Sequence, residues 1–368
     1  MIYLDYQATT PLAPEAREAM LPWLDGPDGT GFGNPHSPHR LGRMAQAAVE
    51  LALDDIAALF PPNGRIVLTS GGTEAINLGI RGSAPCADTR PVLVSAIEHA
   101  AVLDTAAATG APVVTLPVTR DGIADIGYKW PEDVRLACIM QVNNEIGTIQ
   151  PIAEFANKAR EAGALLLCDA VQAYGKLPVA GADMIAVSAH KLHGPKGIGA
   201  LWVADGIELV PQITGGGQQG QMRSGTLSPA LCAGFAMAAR LARMQMEEDA
   251  IHVAALQRQA LASLTGWTVN GSLETRWPGN LNLRKDGLDV ARLMSQVRSV
   301  AFSAGSACAS GSGRPSHVLR AIGLDPSQTK SAIRLGFGRY TTSAQLEEAC
   351  VLIETAAEAQ LLEKVPPA

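Results

Sequence analysis

Seven short apolar runs punctuate this chain, at residues 65–69, 91–96, 113–117, 136–142, 164–169, 184–189 and 199–203, and each ends in polar residues or glycine. Runs of this length that are apolar at successive positions read as strands buried on both faces. Helical patterns alternate with them from about residue 16 to about residue 246, which predicts an α/β fold with a mostly parallel sheet. Small molecules bind such sheets at the carboxyl ends of the strands. A long pattern rich in Ala, Met, Gln and Glu over 229–264 predicts a linking helix. Mixed signals follow: a strand near 280–284, a helix near 289–297 and a last amphipathic helix from 343 to about 364. The expected division is a large domain over 15–250 and a smaller α+β domain built from 1–14 and 251–368.

Composition narrows the possibilities. With 368 residues, 47% hydrophobic and 17% charged, the chain has enough apolar material for two cores. A net charge of −6 offers no basic field for a phosphate backbone, so nucleic acid is not an expected partner. The N-terminus lacks the basic flank and apolar core of a signal peptide, and no segment approaches the roughly 18 apolar residues of a membrane span. A cytoplasmic protein is expected. The six cysteines show no C-x-x-C pair and no zinc-like spacing, so neither a metal centre nor a disulfide framework is expected.

The strand ends carry the candidate chemistry. The run 184–189 leads into Ser188, His190 and a single lysine, Lys191. An ammonium at the mouth of a buried strand loses hydration, and its amine can attack a carbonyl such as the aldehyde of pyridoxal phosphate (PLP); a loop lysine can also simply snorkel to solvent. Asp169 ends another apolar strand, with Gln172 on the following turn. Its carboxylate needs a cation such as the pyridinium nitrogen of PLP, although Asp is also a good helix N-cap. Gly72 and Thr73 in Ser70-Gly-Gly-Thr-Glu74 lie between a strand and a helix expected to begin near Glu74, where a phosphate fits, as would an ordinary turn. His99 can stack on a cofactor ring and move protons, or cap a helix. Asn144 follows a further strand. Turn chemistry explains each alone, but not Thr73, His99, Asn144, Asp169 and Lys191 together.

Cys308 lies in Ser303-Ala-Gly-Ser-Ala-Cys-Ala-Ser-Gly-Ser-Gly313, where every other residue is Ser, Gly or Ala. Such a stretch is expected to flex, so its thiol can swing into a pocket and leave carrying a product; a plain surface loop is the rival reading.

These motifs closely resemble the cysteine desulfurases of the class V, fold type I PLP enzymes. The resemblance runs from Tyr3-Leu-Asp-Tyr-Gln-Ala-Thr-Thr-Pro11 through Thr69-Ser-Gly-Gly-Thr-Glu-Ala75, Glu98-His99, Asn143-Asn-Glu-Ile-Gly147, Asp169-Ala-Val-Gln172 and Ser188-Ala-His-Lys191. It continues through Arg223-Ser-Gly-Thr226 and Gly305-Ser-Ala-Cys-Ala-Ser310 to the segment 334–342. It implies Lys191 as the Schiff-base lysine, Asp169 at the pyridine nitrogen, Gln172 and Asn144 near the ring hydroxyl, and His99 stacked on the ring. Thr73, Ser188 and His190 would hold the phosphate. Thr226 would reach it from the neighbouring subunit of a homodimer, and Arg334 would clamp the substrate carboxylate.

The implied reaction converts L-cysteine to L-alanine. Sulfur passes to Cys308 as a persulfide, and then to an acceptor or scaffold protein for iron–sulfur cluster or thio-cofactor biosynthesis. A selenocysteine lyase or another class V PLP aminotransferase or lyase would share Lys191 and Asp169 without needing Cys308. The chain departs from the family's usual Gly-Gly-Gly-His-Glu-Arg-Gly, reading Gly217-Gln-Gln-Gly-Gln-Met-Arg223.

Overall fold

The computed structural model describes residues 1–84, 88–179, 181–305 and 316–363. The seven apolar runs form one sheet. Its strands are β2 (Gly64–Thr69), β3 (Val92–Ser95), β4 (Val113–Leu116), β5 (Leu136–Met140), β6 (Leu165–Asp169), β7 (Met184–Ser188) and β8 (Gly199–Ala204), in the order β2-β8-β7-β6-β5-β3-β4. Only β8 runs antiparallel to its neighbours.

Both faces are covered, as continuous apolar runs require. Leu136, Cys138, Leu167, Met184 and Ala186 pack with residues of α3 (Gly72–Gly82) and α4 (Ala100–Ala107). The alternate positions Ala137, Ile139, Leu166, Cys168, Ile185 and Val187 pack with α2 (Arg40–Ala57), α5 (Ile152–Glu161) and α6 (Pro229–Ser263). The predicted strand over 136–142 stops at Met140, because Val142 leaves the ladder for an isolated bridge to Ile149. The helix expected near Glu74 begins two residues earlier, at Gly72.

A second sheet is antiparallel, in the order β12-β13-β10-β9, with β9 at Thr268–Val269, β10 at Asn280–Arg284, β12 at Ser303–Ala304 and β13 at Ala332–Gly336. The helices α7 (Val290–Gln296) and α10 (Ser343–Leu362) fall where the periodicity places them, capped by Asp289 and Thr342. The N-terminal segment ties the two sheets together. β1 (Ile2–Tyr3) pairs with β11 (Val300–Ala301), Gly336 N–H donates to the Leu4 carbonyl, and Thr10 N–H donates to the His190 carbonyl just past β7. Residues 5–9 are thereby held over the carboxyl edge of the large sheet.

Among the described residues no helix is long and apolar enough to cross a membrane. No group of His, Cys, Asp or Glu among them could hold a metal ion.

Gly199, paired with Ser188 across β8 and β7, lets the loop after β2 lie directly on the sheet. A Cβ there would stand 2.5 Å from the Val187 carbonyl oxygen and 2.7 Å from the Gly71 carbonyl carbon, both backbone atoms that cannot yield. Gly199→Ala is therefore expected to cost about 1–3 kcal/mol in urea unfolding; an unchanged midpoint would show that the loop is not seated this way.

Candidate active site

Five strands of the large sheet, β2, β3, β5, β6 and β7, end by handing residues to one cavity of about 340 Å³. Its lining includes Gly72, Thr73, His99, Asn144, Asp169, Gln172, Ser188, His190, Lys191 and Arg334. Five chain segments, far apart in sequence, thus converge at one edge.

The loop from β2 to α3 supplies backbone N–H groups at a helix N-terminus, a place suited to an anion. Gly71 adopts φ +155°, a conformation open to glycine, and a Cβ on Gly72 would meet Val171 Cγ2 at 2.7 Å. Glu74 braces this loop by accepting from Ser70 N–H at 2.7 Å and pairing with Arg223 at 2.8 Å.

His99 caps a helix, one of its two sequence readings, and also borders the cavity. Its Nδ1 accepts from Ala101 N–H at 3.0 Å, capping α4, while the ring lines the cavity. Accepting at Nδ1 places the proton of the neutral ring on Nε2. Burial pushes its pKa down, against the pull of Asp169, so the neutral ring is favoured. Neighbouring Glu98 is fully buried and pushed up to about 8 by burial, with Ser95 Oγ and Met140 N–H donating to its Oε1.

Of the two asparagines, Asn143 is structural. Its Oδ1 accepts from Glu145 and Ile146 N–H at 2.8 and 2.9 Å, and its Nδ2 donates to the Ile97 carbonyl. Asn144 is the one that lines the cavity.

Asp169 is buried at the end of β6, with Oδ1 accepting from Val171 N–H at 2.9 Å. Burial raises its pKa, and His99 and Lys191 pull it back. A carboxylate so placed calls for a cationic ligand atom. Gln172 Nε2 donates to the Gln7 carbonyl at 2.9 Å, the carbonyl that Lys191 Nζ also addresses, and Lys191 Nζ donates to the Ala8 carbonyl at 2.8 Å. His190 contacts Thr9 Oγ1 at 3.1 Å, and burial pulls its pKa down to about 4.

Arg334 comes from β13 and is 1% exposed. It donates to the Asn144 carbonyl at 2.9 Å and pairs with Asp5 at 2.6 Å, leaving its buried Nε without a protein partner. A planar cation fixed in this way suits a carboxylate.

Thr226 is exposed and does not line this chain's cavity. Cys308 and Cys86 lie outside the described residues. Both flanks of the Cys308 segment are anchored near the site: Asn282 Nδ2 donates to the Gly305 carbonyl at 3.5 Å, and Ser316 Oγ to Glu145 Oε2 at 2.5 Å. Cys138, Cys168, Cys232 and Cys350 are buried thiols, with burial raising the pKa of each, so they are inert as nucleophiles.

Three contributors carry no signal of their own in the sequence. Gln7 and Ala8 act through backbone carbonyls, which residue type does not reveal, and Asp5 acts through Arg334, its partner only in the fold. The matching stretch Tyr3–Pro11 was the only available pointer to them.

A buried acid, a lysine, a helix N-terminus with hydroxyl and imidazole groups, and a cavity of cofactor size all fit PLP. The comparisons agree. The family model for class-V aminotransferases matches residues 2–348. The chain is 40% identical to the cysteine desulfurase IscS of Rickettsia bellii, over 96% of this chain and 90% of that one. It is 41% identical to the cysteine desulfurase IscS of Anaeromyxobacter dehalogenans, over 95% and 90%. Among solved structures, a NifS-like protein matches with a TM-score of 0.88 at 29% identity, covering 98% of this chain and 99% of the other. SspA in complex with cysteine matches at 0.81 and 32%, covering 93% and 100%.

Removing Asp5 leaves the Arg334 cation buried without its ion-pair partner. Asp5→Ala is expected to lose about 3 kcal/mol of unfolding free energy by urea titration; wild-type stability would show that Arg334 does not depend on this pair.

Proposed function

Because the chain belongs to the class-V aminotransferase family, and within it is a PLP-dependent cysteine desulfurase, we propose that Lys191 holds the cofactor and that Cys308 receives the sulfur. The observation that carries the assignment is the convergence of Lys191, Asp169, His99 and Arg334 on one cavity from separate strand ends.

When bound, PLP withdraws electrons from the substrate's α-carbon and so weakens the bonds around it. Asp169 would keep the pyridine nitrogen protonated, its carboxylate gaining there the cation that its burial demands. Thr73, Ser188 and His190, with the backbone of Gly72, would hold the phosphate at the start of α3, while Asn144 and Gln172 flank the ring. Arg334 would orient L-cysteine through its carboxylate, with Asp5 and the Asn144 carbonyl fixing the guanidinium. Lys191 Nζ would move the proton at the α-carbon, and His99 would offer its Nε2 proton beside it.

Cys308 as thiolate would attack the substrate's sulfur. The new S–S bond forms as the C–S bond breaks, and the electron pair left on carbon takes a proton to become the methyl group of L-alanine. The persulfide then passes to an acceptor by thiol exchange. The likeness to desulfurases suggests an acceptor or scaffold protein in iron–sulfur cluster or thio-cofactor biosynthesis, and a cytoplasmic setting.

The exposure of Thr226 away from its own cavity supports a homodimer in which a second copy presents this residue to the phosphate. We also propose that residues 15–250 act as the PLP-binding domain, with 1–14 and 251–368 as the smaller domain bearing Cys308. The separate sheets within 64–204 and 268–336 support that division.

Purified protein given PLP, L-cysteine and a thiol reductant is expected to release alanine and sulfide. Cys308→Ala should retain the yellow cofactor while turnover drops on the order of 100-fold or more. Equal sulfide release by that variant would rule out the persulfide route.

A further inference from the structure

Behind the cavity lies a second, much smaller one of about 30 Å³, with room for roughly one water. Gln7 lines both cavities, and Lys176 lines the smaller one. Lys176 Nζ donates to Gln172 Oε1 at 3.4 Å. With its oxygen so engaged, the Gln172 amide turns Nε2 to the Gln7 carbonyl, where Lys191 Nζ also donates. Lys176 and Lys191 are therefore linked through the Gln172 amide and the Gln7 carbonyl.

The surroundings do not neutralise Lys176. His190 and His193 face it from the segment after β7, Tyr6 from the N-terminal segment, and Arg339 from beyond β13. Lys196 stands nearby, close enough to influence His190. The one carboxylate lining the inner cavity, Asp249, is committed to Arg339 at 2.6 Å. Among the described residues Lys176 makes no ion pair.

Resting on the proposed role of Lys191, we propose that Lys176 is a positioning residue for it: as an ammonium it fixes the Gln172 amide, and its charge lowers the proton affinity of the Lys191 nitrogen. Two like charges in a poorly hydrated space oppose one another, which is how a neighbouring cation readies a lysine for covalent chemistry. The influence is mutual. Burial, and after it the charge of Lys191, brings Lys176 down to about 7.

Wild-type holoenzyme and the Lys176→Met and Lys176→Arg variants are to be titrated from about pH 6 to about pH 10 in the visible absorbance of the bound cofactor. Removing a like charge favours the protonated form. The methionine variant should therefore titrate about one pH unit higher than wild type. The arginine variant keeps the charge and should titrate at or below wild type. Should methionine prevent folding, Lys176→Gln is expected to show the same rise. An unchanged midpoint in the neutral variant, or a raised one in the arginine variant, overturns the proposal. A wild-type visible band that does not respond to pH also overturns the proposal, whereas absence of any visible cofactor band with saturating PLP would instead overturn the assignment of Lys191 itself.

Discussion

Charge buried at the carboxyl edge of the large sheet is the constraint on which the site depends. Asp169 sits at the end of a strand whose both faces are packed, and Arg334 reaches the same cavity almost wholly shielded from water. Neither group is tolerable in such a place unless the fold supplies opposite charge and hydrogen bonds. Asp5 answers Arg334 directly. Asp169 has a backbone N–H together with the fields of His99 and Lys191, and its remaining need is what a cationic ring nitrogen would meet. Much of the architecture follows from serving these two residues.

The N-terminal segment shows how the service is arranged. Pairing of Ile2–Tyr3 with Val300–Ala301 and the bond from Gly336 N–H to Leu4 lay the first residues along the small sheet, and Thr10 fastens them to the turn after β7. Between those anchors Asp5 meets Arg334, and the carbonyls of Gln7 and Ala8 meet Lys191. One short stretch therefore ties the cation that would grip the substrate to the amine that would grip the cofactor. A disturbance in either sheet would reach both.

Most of the fold was legible because its strands are buried on two faces and carry an unbroken apolar signal. All seven runs became strands of one sheet, and the helix starting at Pro229 ended within a residue of its expected limit. The cavity was legible for the same reason: Thr73, His99, Asn144, Asp169 and Lys191 each follow a readable strand. Val142 misled the end of β5, since an apolar residue in a bridge looks the same as one in a ladder. What the sequence could not display are contacts made by backbone carbonyls, as at Gln7, and pairings across hundreds of residues, as between Asp5 and Arg334. Lys176 is the clearest case: a lysine two residues past a buried tyrosine carries no mark of the amide it meets. Gln219 answers the departure from the family pattern, its side chain pairing with both the N–H and the carbonyl of Leu68 on the edge strand β2, where it satisfies backbone groups that a sheet edge leaves open.

The central claim is that one particular amine, among several lysines nearby, is bonded to the cofactor. Borohydride reduction of the holoenzyme followed by peptide mapping tests it most directly. A single pyridoxyl label on Lys191 is expected; a label on Lys176, on Lys196 or on any other residue would contradict the assignment.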